Sequence, residues 1–286
     1  MNHRIKTIGI AGAGTMGQGI AISCALAGYE TLLFDINTES SEKAIQQIRQ
    51  SLDKSVSKAK LTREAAELSF ARIRRVTQLS KMKADLIVEA VVENLGVKRK
   101  LFLELEDINS PASILATNTS SISVTQIAAG LRDPSRFIGL HFFNPAHLMK
   151  LVEVISGELT KPEIALTMME FSKSLAKTPV QVKDSPGFIV NRVARHFYVE
   201  SLKILGEQVT DVEGIDKLMR SAGFKMGPFE LMDLIGIDVN YAVTTSVYEG
   251  FNRHPKFKPS EIQKNKIDQG LLGRKTGRGF YDYPKK

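Results

Sequence analysis

Length, composition and charge limit what this chain can be. It has 286 residues, of which 43% are hydrophobic and 24% charged, as is typical of a globular protein with two domains. No apolar run approaches the roughly 20 residues that a membrane span needs, so we expect no membrane partner. The net charge is +8, but basic residues are mixed with acidic ones and no aromatic-basic motif occurs. A small anionic ligand is therefore favoured over nucleic acid.

The N-terminal residues and the single cysteine bear on the compartment. The first predicted strand begins at Ile8, which leaves no room for a secretory or transit peptide. Cys24 is the only cysteine, so no intramolecular disulfide and no cysteine-pair metal site can form. We expect Cys24 to be a small core residue of the first helix. Together these features predict a cytoplasmic protein.

The first predicted elements form a dinucleotide-binding unit. An apolar run from Ile8 to Ala11 ends in a glycine-rich turn, a helical pattern follows, and a second apolar run ends in Asp35. The glycines allow a tight turn, a close approach to a pyrophosphate and close helix packing, and the helix N-terminus attracts the phosphates. The turn consists of Gly12, Ala13, Gly14, Thr15, Met16 and Gly17.

Asp35 indicates which dinucleotide is bound. It lies 18 residues after Gly17, where a carboxylate can accept a hydrogen bond from a ribose 2′-hydroxyl. The same carboxylate repels the 2′-phosphate of NADP, and neither Ile36 nor Asn37 supplies a cation to hold one. The sequence therefore predicts NAD as the cofactor, with NADP disfavoured unless a lysine or arginine from elsewhere reaches this position. A glycine turn with a chance acidic residue is the alternative.

A charged helical pair follows the second strand and lengthens the usual mononucleotide-binding unit. One predicted helix covers residues 38–58, and another begins at Thr62 and ends before Phe70. Ser51 and Lys58 lie on one face of the first of these helices. For such a charged face, a solvated surface is the default interpretation.

Five further apolar runs predict strands of a mostly parallel sheet. Ligands bind at the carboxyl ends of the strands in an open parallel sheet, and polar residues cluster at those ends here. The predicted strands are 85–91, 113–117, 137–143, 151–155 and 179–182, and the polar residues are Glu93, Asn118, Ser120, His141 and Asn144.

The pattern of predicted elements changes abruptly at a Pro-Gly pair late in the chain. Beyond it no strand pattern occurs, helices are predicted at 188–205 and 211–222, and Pro228 suits the start of a third. We therefore predict a doubly wound, Rossmann-like α/β domain with an inserted helical hairpin at 1–186. An all-α domain is predicted at 187–286.

His141 is the candidate for proton transfer. A dinucleotide site implies hydride transfer, and removing hydride from an alcohol carbon requires a base for the hydroxyl proton. Imidazole titrates near neutrality, and Glu153, one strand onward, can fix its tautomer and stabilise its charged form. A structural histidine and a surface ion pair are the alternatives.

Ser120 and Asn191 are polar residues that can hold a substrate carbonyl or a developing oxyanion. A strand-end cap and a polar residue in the first turn of a helix are the respective alternatives. No spacing typical of metal ligands occurs in the sequence, so no metal site is predicted.

Seven segments together resemble one family, the NAD-dependent L-3-hydroxyacyl-CoA dehydrogenases, in particular the bacterial 3-hydroxybutyryl-CoA dehydrogenases. HFFNP followed by SPGFIVNR is the most specific combination. The segments span nearly the whole chain: they are GAGTMGQGI (12–20), IVEAVVENLGVKRKLF (87–102), ATNTSSISVTQIA (116–128), GLHFFNPAHLMKLVEVI (139–155), DSPGFIVNRV (184–193), MGPFELMDLIGIDV (226–239) and GLLGRKTGRGFYDY (270–283).

The resemblance implies an activity and a role for each matching residue. The activity is oxidation of (S)-3-hydroxyacyl-CoA to 3-oxoacyl-CoA with NAD, or the reverse reduction, in fatty acid metabolism (β-oxidation), with short acyl chains expected. The implied catalytic pair is His141 and Glu153, and the implied substrate-positioning residues are Ser120 and Asn191. Coenzyme A is expected at Ser51 and Lys58. The implied NAD contacts are the glycine turn, Asp35, Glu93, Lys98, Ser120 and Asn144.

The resemblance also implies a homodimer formed through the C-terminal domain, and it leaves alternatives open. Some relatives act on 3-hydroxyadipyl-CoA or longer acyl chains. A dehydrogenase of free hydroxy acids, like the gulonate dehydrogenases, is a second alternative, against which HFFNP and the Ser51/Lys58 face argue. A protein that keeps the dinucleotide site without turnover, as some lens crystallins do, is a third, and the His141–Glu153 pair argues against it.

Overall fold

The chain forms two compact units in the structure, a computed structural model that describes residues 5–283. The division falls between Asp184 and Ser185, two residues before the predicted boundary. The first unit is Rossmann-like and the second is helical, so the predicted fold class is confirmed. Among the described residues, no helix is both long and apolar enough to cross a membrane.

One eight-stranded sheet organises the first unit. Its strands are β1 (Thr7–Ala11), β2 (Glu30–Phe34), β3 (Ile73–Val76), β4 (Leu86–Glu89), β5 (Ile114–Thr117), β6 (Phe137–Phe142), β7 (Leu151–Ser156) and β8 (Thr178–Lys183). They lie in the order β3-β2-β1-β4-β5-β6-β7-β8. The first six are parallel, β7 runs antiparallel to β6, and β8 is parallel to β7. Because the order reverses between β1 and β4, a ligand crevice is expected there.

The helices of the first unit cover the apolar faces of this sheet. They are α1 (Thr15–Leu26), α2 (Thr38–Ser57), α3 (Arg63–Ala71), α4 (Leu95–Ile108), α5 (Val124–Ala128) and α6 (Pro162–Ser174). Ile8 and Ile10 of β1 pack with Ile20 of α1 in the core. Cys24 of α1 is buried in the same core as expected, and burial raises the pKa of its thiol to about 12.

Two details of this unit differ from the sequence prediction. Strand β3 was missed because its IRRV sequence carries two arginines, which an edge strand paired only with β2 tolerates. Helix α3 continues through Phe70 to Ala71 rather than ending before Phe70. Phe70 packs against the core of the sheet, so burial of its ring favours two more helical residues than the charged pattern suggests.

Five α-helices form the framework of the second unit within the described residues. They are α7 (Val190–Gly206), α8 (Val212–Ser221), α9 (Pro228–Ile235), α10 (Ile237–Gly250) and α11 (Glu261–Asp268). Asp211 caps α8 by accepting a hydrogen bond from the Gly214 amide, and Pro228 starts α9, both as predicted. Helix α7 begins two residues later than predicted, because Phe188 has a φ of +51°, which a right-handed helix excludes.

Two buried carboxylates connect the helices of the second unit to its C-terminal segment. Asp216 accepts hydrogen bonds from the Phe229 and Glu230 amides at the start of α9, each at 2.9 Å, and from the Tyr281 hydroxyl at 2.8 Å. Asp233 accepts from the Phe280 and Tyr281 amides. Burial and the Asp216 carboxylate raise the pKa of Tyr281. Asp216 thus accepts hydrogen bonds from a helix N-terminus and from the half-buried Tyr281 hydroxyl together.

Asp216→Asn is expected to destabilise this unit. One carboxylate oxygen becomes an amide donor that faces another donor, which costs about 2–3 kcal/mol when the group is buried. Thermal unfolding followed by circular dichroism should show a lowered midpoint. The matched control is Asp268→Asn, because Asp268 pairs with Lys264 at the surface and its replacement should leave the midpoint unchanged. Equal midpoints for the two variants would contradict this role for Asp216.

Candidate active site

The glycine turn lies at the carboxyl end of β1, beside the reversal in strand order. Gly12 has a φ of +111°, and a Cβ there would lie 2.5 Å from the carbonyl oxygen of Ala90. A Cβ on Gly17 would overlap the carbonyl oxygen of Gly12. By contrast, no atom lies within 4 Å of the Cβ position of Gly14. The turn is therefore closed toward the protein and open where a ligand would approach.

Asp35 is fixed beside this turn by two backbone donors. Its carboxylate accepts hydrogen bonds from the Ala13 amide at 2.8 Å and from the Asn37 amide at 2.9 Å. A cleft of about 690 Å³ adjoins it, and Ile36, 93% exposed, contributes an apolar surface to the lining. The open turn, the anchored carboxylate and this cleft fit the adenosine half of a dinucleotide.

Two charged residues of this cleft, Lys100 and Glu104, were not predicted from the sequence. Lys100 and Glu104 lie one turn apart on α4, and both line the cleft together with Asp35. Lys100 is thus a cation that reaches the cleft from a distant part of the sequence. The alternating charges of α4 gave no signal by which it could be distinguished from a solvated residue.

A buried charge cluster connects the ends of β4 and β5. Lys98 of α4, 1% exposed, donates to Glu89 at 2.6 Å and lies 3.2 Å from a carboxylate oxygen of Glu93. Glu89, fully buried at the end of β4, also accepts from the Thr117 hydroxyl and the Val91 amide, each at 2.7 Å. The predicted role of Lys98 as an NAD contact stays a prediction; its ammonium holds two carboxylates in place.

Glu93 organises the loop that carries Ser120. One carboxylate oxygen accepts from the Thr119 hydroxyl at 2.6 Å, the Ser120 amide at 2.9 Å and the Ser121 amide at 3.1 Å. Burial raises the pKa of Glu93, but the Lys98 ammonium and these hydrogen bonds together lower it by more. The pKa of Glu93 therefore lies below the usual range. The loop after β5 is therefore held by an ionised carboxylate from the loop after β4.

His141 and Glu153 form a buried pair. The antiparallel register of β6 and β7 places them directly opposite each other, and His141 Nδ1 lies 2.7 Å from Glu153 Oε2. The side chains are only 7% and 1% exposed. A carboxylate that holds Nδ1 directs Nε2 toward the reacting group and stabilises the imidazolium once it forms.

The other predicted site residues lie on separate elements. Asn144 is exposed in the loop after β6. Ser51 is half-buried on α2, and Lys58 is exposed as its C-cap residue. Asn191 lies in the second unit, in the first turn of α7, where its backbone carbonyl oxygen accepts a hydrogen bond from the Arg195 side chain. Their roles stay predictions.

Glu153→Gln is expected to lower kcat by about 10- to 100-fold with little change in KM, because the amide does not stabilise an imidazolium as a carboxylate does. Steady-state kinetics on the purified variant would measure it. Glu158→Gln is the matched control, since Glu158 is exposed just beyond β7. Wild-type kcat in Glu153→Gln would remove the pair from the mechanism.

Comparison with known proteins gives the family. Residues 7–185 match the family model described as 3-hydroxyacyl-CoA dehydrogenase, NAD binding domain. Residues 187–283 match the model described as 3-hydroxyacyl-CoA dehydrogenase, C-terminal domain. The chain belongs to the 3-hydroxyacyl-CoA dehydrogenase family. The predicted family, its dehydrogenase class and an NAD-binding first unit are thereby confirmed.

Similar members of this dehydrogenase family carry different substrate names. The chain is 47% identical over 285 residues to 3-hydroxyadipyl-CoA dehydrogenase of Escherichia coli, covering 99% of this chain but only 60% of that relative. It is 39% identical over 284 residues to a probable 3-hydroxybutyryl-CoA dehydrogenase of Bacillus subtilis, covering 99% of each. This chain therefore spans about three fifths of the first relative and almost all of the second.

A solved structure in the family has the same fold throughout. The crystal structure of (S)-3-hydroxybutyryl-CoA dehydrogenase from Ralstonia eutropha superposes with a TM-score of 0.94 at 40% identity, covering 98% of this chain and all of that one. Within residues 5–283 of the present chain, no group of three or more histidine, cysteine, aspartate or glutamate side chains is arranged to hold a metal ion.

Proposed function

We propose that this chain catalyses the NAD-dependent oxidation of (S)-3-hydroxyacyl-CoA to 3-oxoacyl-CoA, or the reverse reduction. The observation that carries the proposal is the buried His141–Glu153 pair, near the carboxyl end of β6 in a sheet whose β1 ends in a dinucleotide turn. A base at that edge of the sheet suits proton removal from an alcohol that loses hydride to a bound dinucleotide.

In this mechanism His141 Nε2 takes the proton of the C3 hydroxyl, and Glu153 stabilises the resulting imidazolium. Bound NAD supplies the hydride acceptor. Ser120, held by Glu93, and Asn191 hold the substrate oxygens. Ser51 and Lys58 hold the coenzyme A portion, for which the lysine provides a positive charge. In reduction, the imidazolium returns its proton to the oxygen at C3.

We infer NAD rather than NADP as the preferred cofactor. The anchored Asp35 carboxylate suits a ribose 2′-hydroxyl and repels a 2′-phosphate. Lys100 works against this preference, because it lines the same cleft. The preference rests on Asp35 being held at the turn itself by the Ala13 amide.

A short acyl chain is our first proposal for the substrate, and 3-hydroxybutyryl-CoA with acetoacetyl-CoA is the corresponding pair. The relative from Bacillus subtilis, which this chain covers end to end, supports it. A second candidate is 3-hydroxyadipyl-CoA, favoured by the higher identity to the Escherichia coli relative. Comparing kcat/KM for the two hydroxyacyl thioesters decides between these candidates.

We also propose a cytoplasmic homodimer formed through the second unit. Large apolar side chains are exposed there, and such surfaces commonly mark protein contacts. The most exposed of them are Val193, Val209, Leu218 and Phe224. Light scattering of the purified protein measures the assembly: a mass of two chains supports the proposal, and a mass of one chain contradicts it.

The dependence of activity on coenzyme A tests the proposed function. With NAD, 3-hydroxybutyryl-CoA should be oxidised, whereas free 3-hydroxybutyrate at the same concentration should not. Lys58→Ala should raise KM for the thioester and leave kcat nearly unchanged, because the lysine binds a remote part of the substrate. Lys60→Ala, which removes an exposed lysine two residues further on, is the control. Equal activity on the free acid would contradict the proposal.

A further inference from the structure

Glu89 is a fully buried carboxylate for which the proposed mechanism has no use. It ends β4, and its oxygens accept hydrogen bonds from Lys98, Thr117 and the Val91 amide. An ammonium, a hydroxyl and an amide all direct protons toward it, so both oxygens act as acceptors. A buried amide or apolar side chain could fill this position without the cost of burying a charge.

The cluster around Glu89 carries a net negative charge. Lys98 is the cation that lies between two carboxylates, Glu89 and Glu93, and the formal charges of the three groups sum to one negative charge. Glu89 and Lys98 are shielded from water, whereas the side chain of Glu93 is 36% exposed. Because burial weakens dielectric screening, a charge in the buried part of this cluster acts over a longer range than a charge at the surface.

The sheet order determines which half of a dinucleotide meets this field. The adenosine half is expected beside Asp35 at the end of β2, and the pyrophosphate at the turn after β1. The remaining half would then extend across the ends of β4 and β5 toward His141 on β6. Glu89 and Thr117 are the last residues of β4 and β5, the two strands that lie between β1 and β6 in the sheet.

We propose that Glu89 gives this cluster the negative charge that favours the oxidised cofactor over the reduced one. The nicotinamide ring is positively charged in NAD⁺ and neutral in NADH, so a fixed negative charge nearby stabilises only the oxidised ring. The inference rests on the proposed NAD-dependent function, and it makes Glu89 a residue that tunes the cofactor without contacting it.

The dissociation constants of NAD⁺ and NADH in Glu89→Gln test this inference. Glutamine keeps the shape and removes one charge, so Kd for NAD⁺ should rise about three- to tenfold while Kd for NADH changes little. NADH binding is measured by its fluorescence and NAD⁺ binding by titration calorimetry. Equal weakening of both forms indicates a purely structural role, and unchanged Kd values for both forms indicate no role in cofactor binding; either overturns the inference.

Two further variants make the test decisive. Glu106→Gln is the matched control. Glu106 is a buried glutamate like Glu89, but it lies on α4 and pairs with Arg136 and the Arg132 amide. Its replacement should leave the ratio of the two Kd values unchanged. Glu93→Gln removes the same charge from the cluster at a partly exposed position. It should also raise the ratio of Kd for NAD⁺ to Kd for NADH, and it provides the test if Glu89→Gln does not fold. If wild type binds neither NAD⁺ nor NADH, the proposed function itself fails.

Discussion

Replacing His141 with glutamine is expected to lower kcat by about 10²–10⁴-fold and to leave Kd for NADH nearly unchanged. Glutamine can hydrogen-bond to Glu153 but cannot take the hydroxyl proton. His141 lies on β6, 2.7 Å from Glu153, whereas the glycine turn follows β1. The substitution therefore removes the base without changing the turn. Steady-state kinetics and a fluorescence titration with NADH measure the two quantities on the same preparation.

His147→Gln is the matched control for this experiment. His147 is half-buried in the loop after β6, and burial together with Lys177 lowers the pKa of its imidazole, so it is neutral at physiological pH. It has no carboxylate partner like that of His141 among the described hydrogen bonds and ion pairs. Wild-type kcat is expected for His147→Gln, and wild-type kcat in His141→Gln would show that another group is the base.

Gly17→Ala is expected to abolish cofactor binding, chiefly because the first unit no longer folds correctly. The new Cβ would overlap the carbonyl oxygen of Gly12, and helix α1 must move away from β1 to relieve it. Strain of this kind in a buried turn costs several kcal/mol, about 3 or more. A lowered midpoint of thermal unfolding and no saturable NADH binding are the expected results.

Gly14→Ala separates binding from folding at the same turn. No atom lies within 4 Å of the Cβ position of Gly14, so the midpoint of unfolding should match that of wild type. The added methyl group instead fills space that a pyrophosphate needs, and Kd for NADH should rise at least about tenfold. Unchanged NADH affinity in this variant would place the pyrophosphate elsewhere.

The dinucleotide unit could be predicted from the sequence because its signals are local. The turn at Gly12, the following helix and Asp35 lie within one short stretch, where spacing alone determines the geometry. The proximity of His141 and Glu153 was also expected from neighbouring strands. The antiparallel direction and register of β7, which place the two residues directly opposite each other, were not predicted, because apolar patterns do not specify them.

The features that were missed depend on contacts distant in sequence. Strand β3 needs β2 as a template to override its two arginines. Lys100 lines the Asp35 cleft because α4 borders that cleft together with residues at the ends of β1 and β4. Glu89 follows three apolar residues in β4, and nothing in that stretch indicates that Lys98, nine positions later, pairs with it in the folded protein. Which charged side chains become buried depends on contacts between distant parts of the chain. The pattern of apolar residues in a strand does not show those contacts.

Steady-state consumption of NADH with acetoacetyl-CoA, run beside NADPH, tests the central claim most directly. We predict rapid turnover with NADH and much slower turnover with NADPH, which would support the thioester substrate and the role of Asp35 together. Turnover with neither cofactor, on acetoacetyl-CoA and on longer or dicarboxylic 3-oxoacyl thioesters, by a folded protein that still binds NADH, would contradict the account.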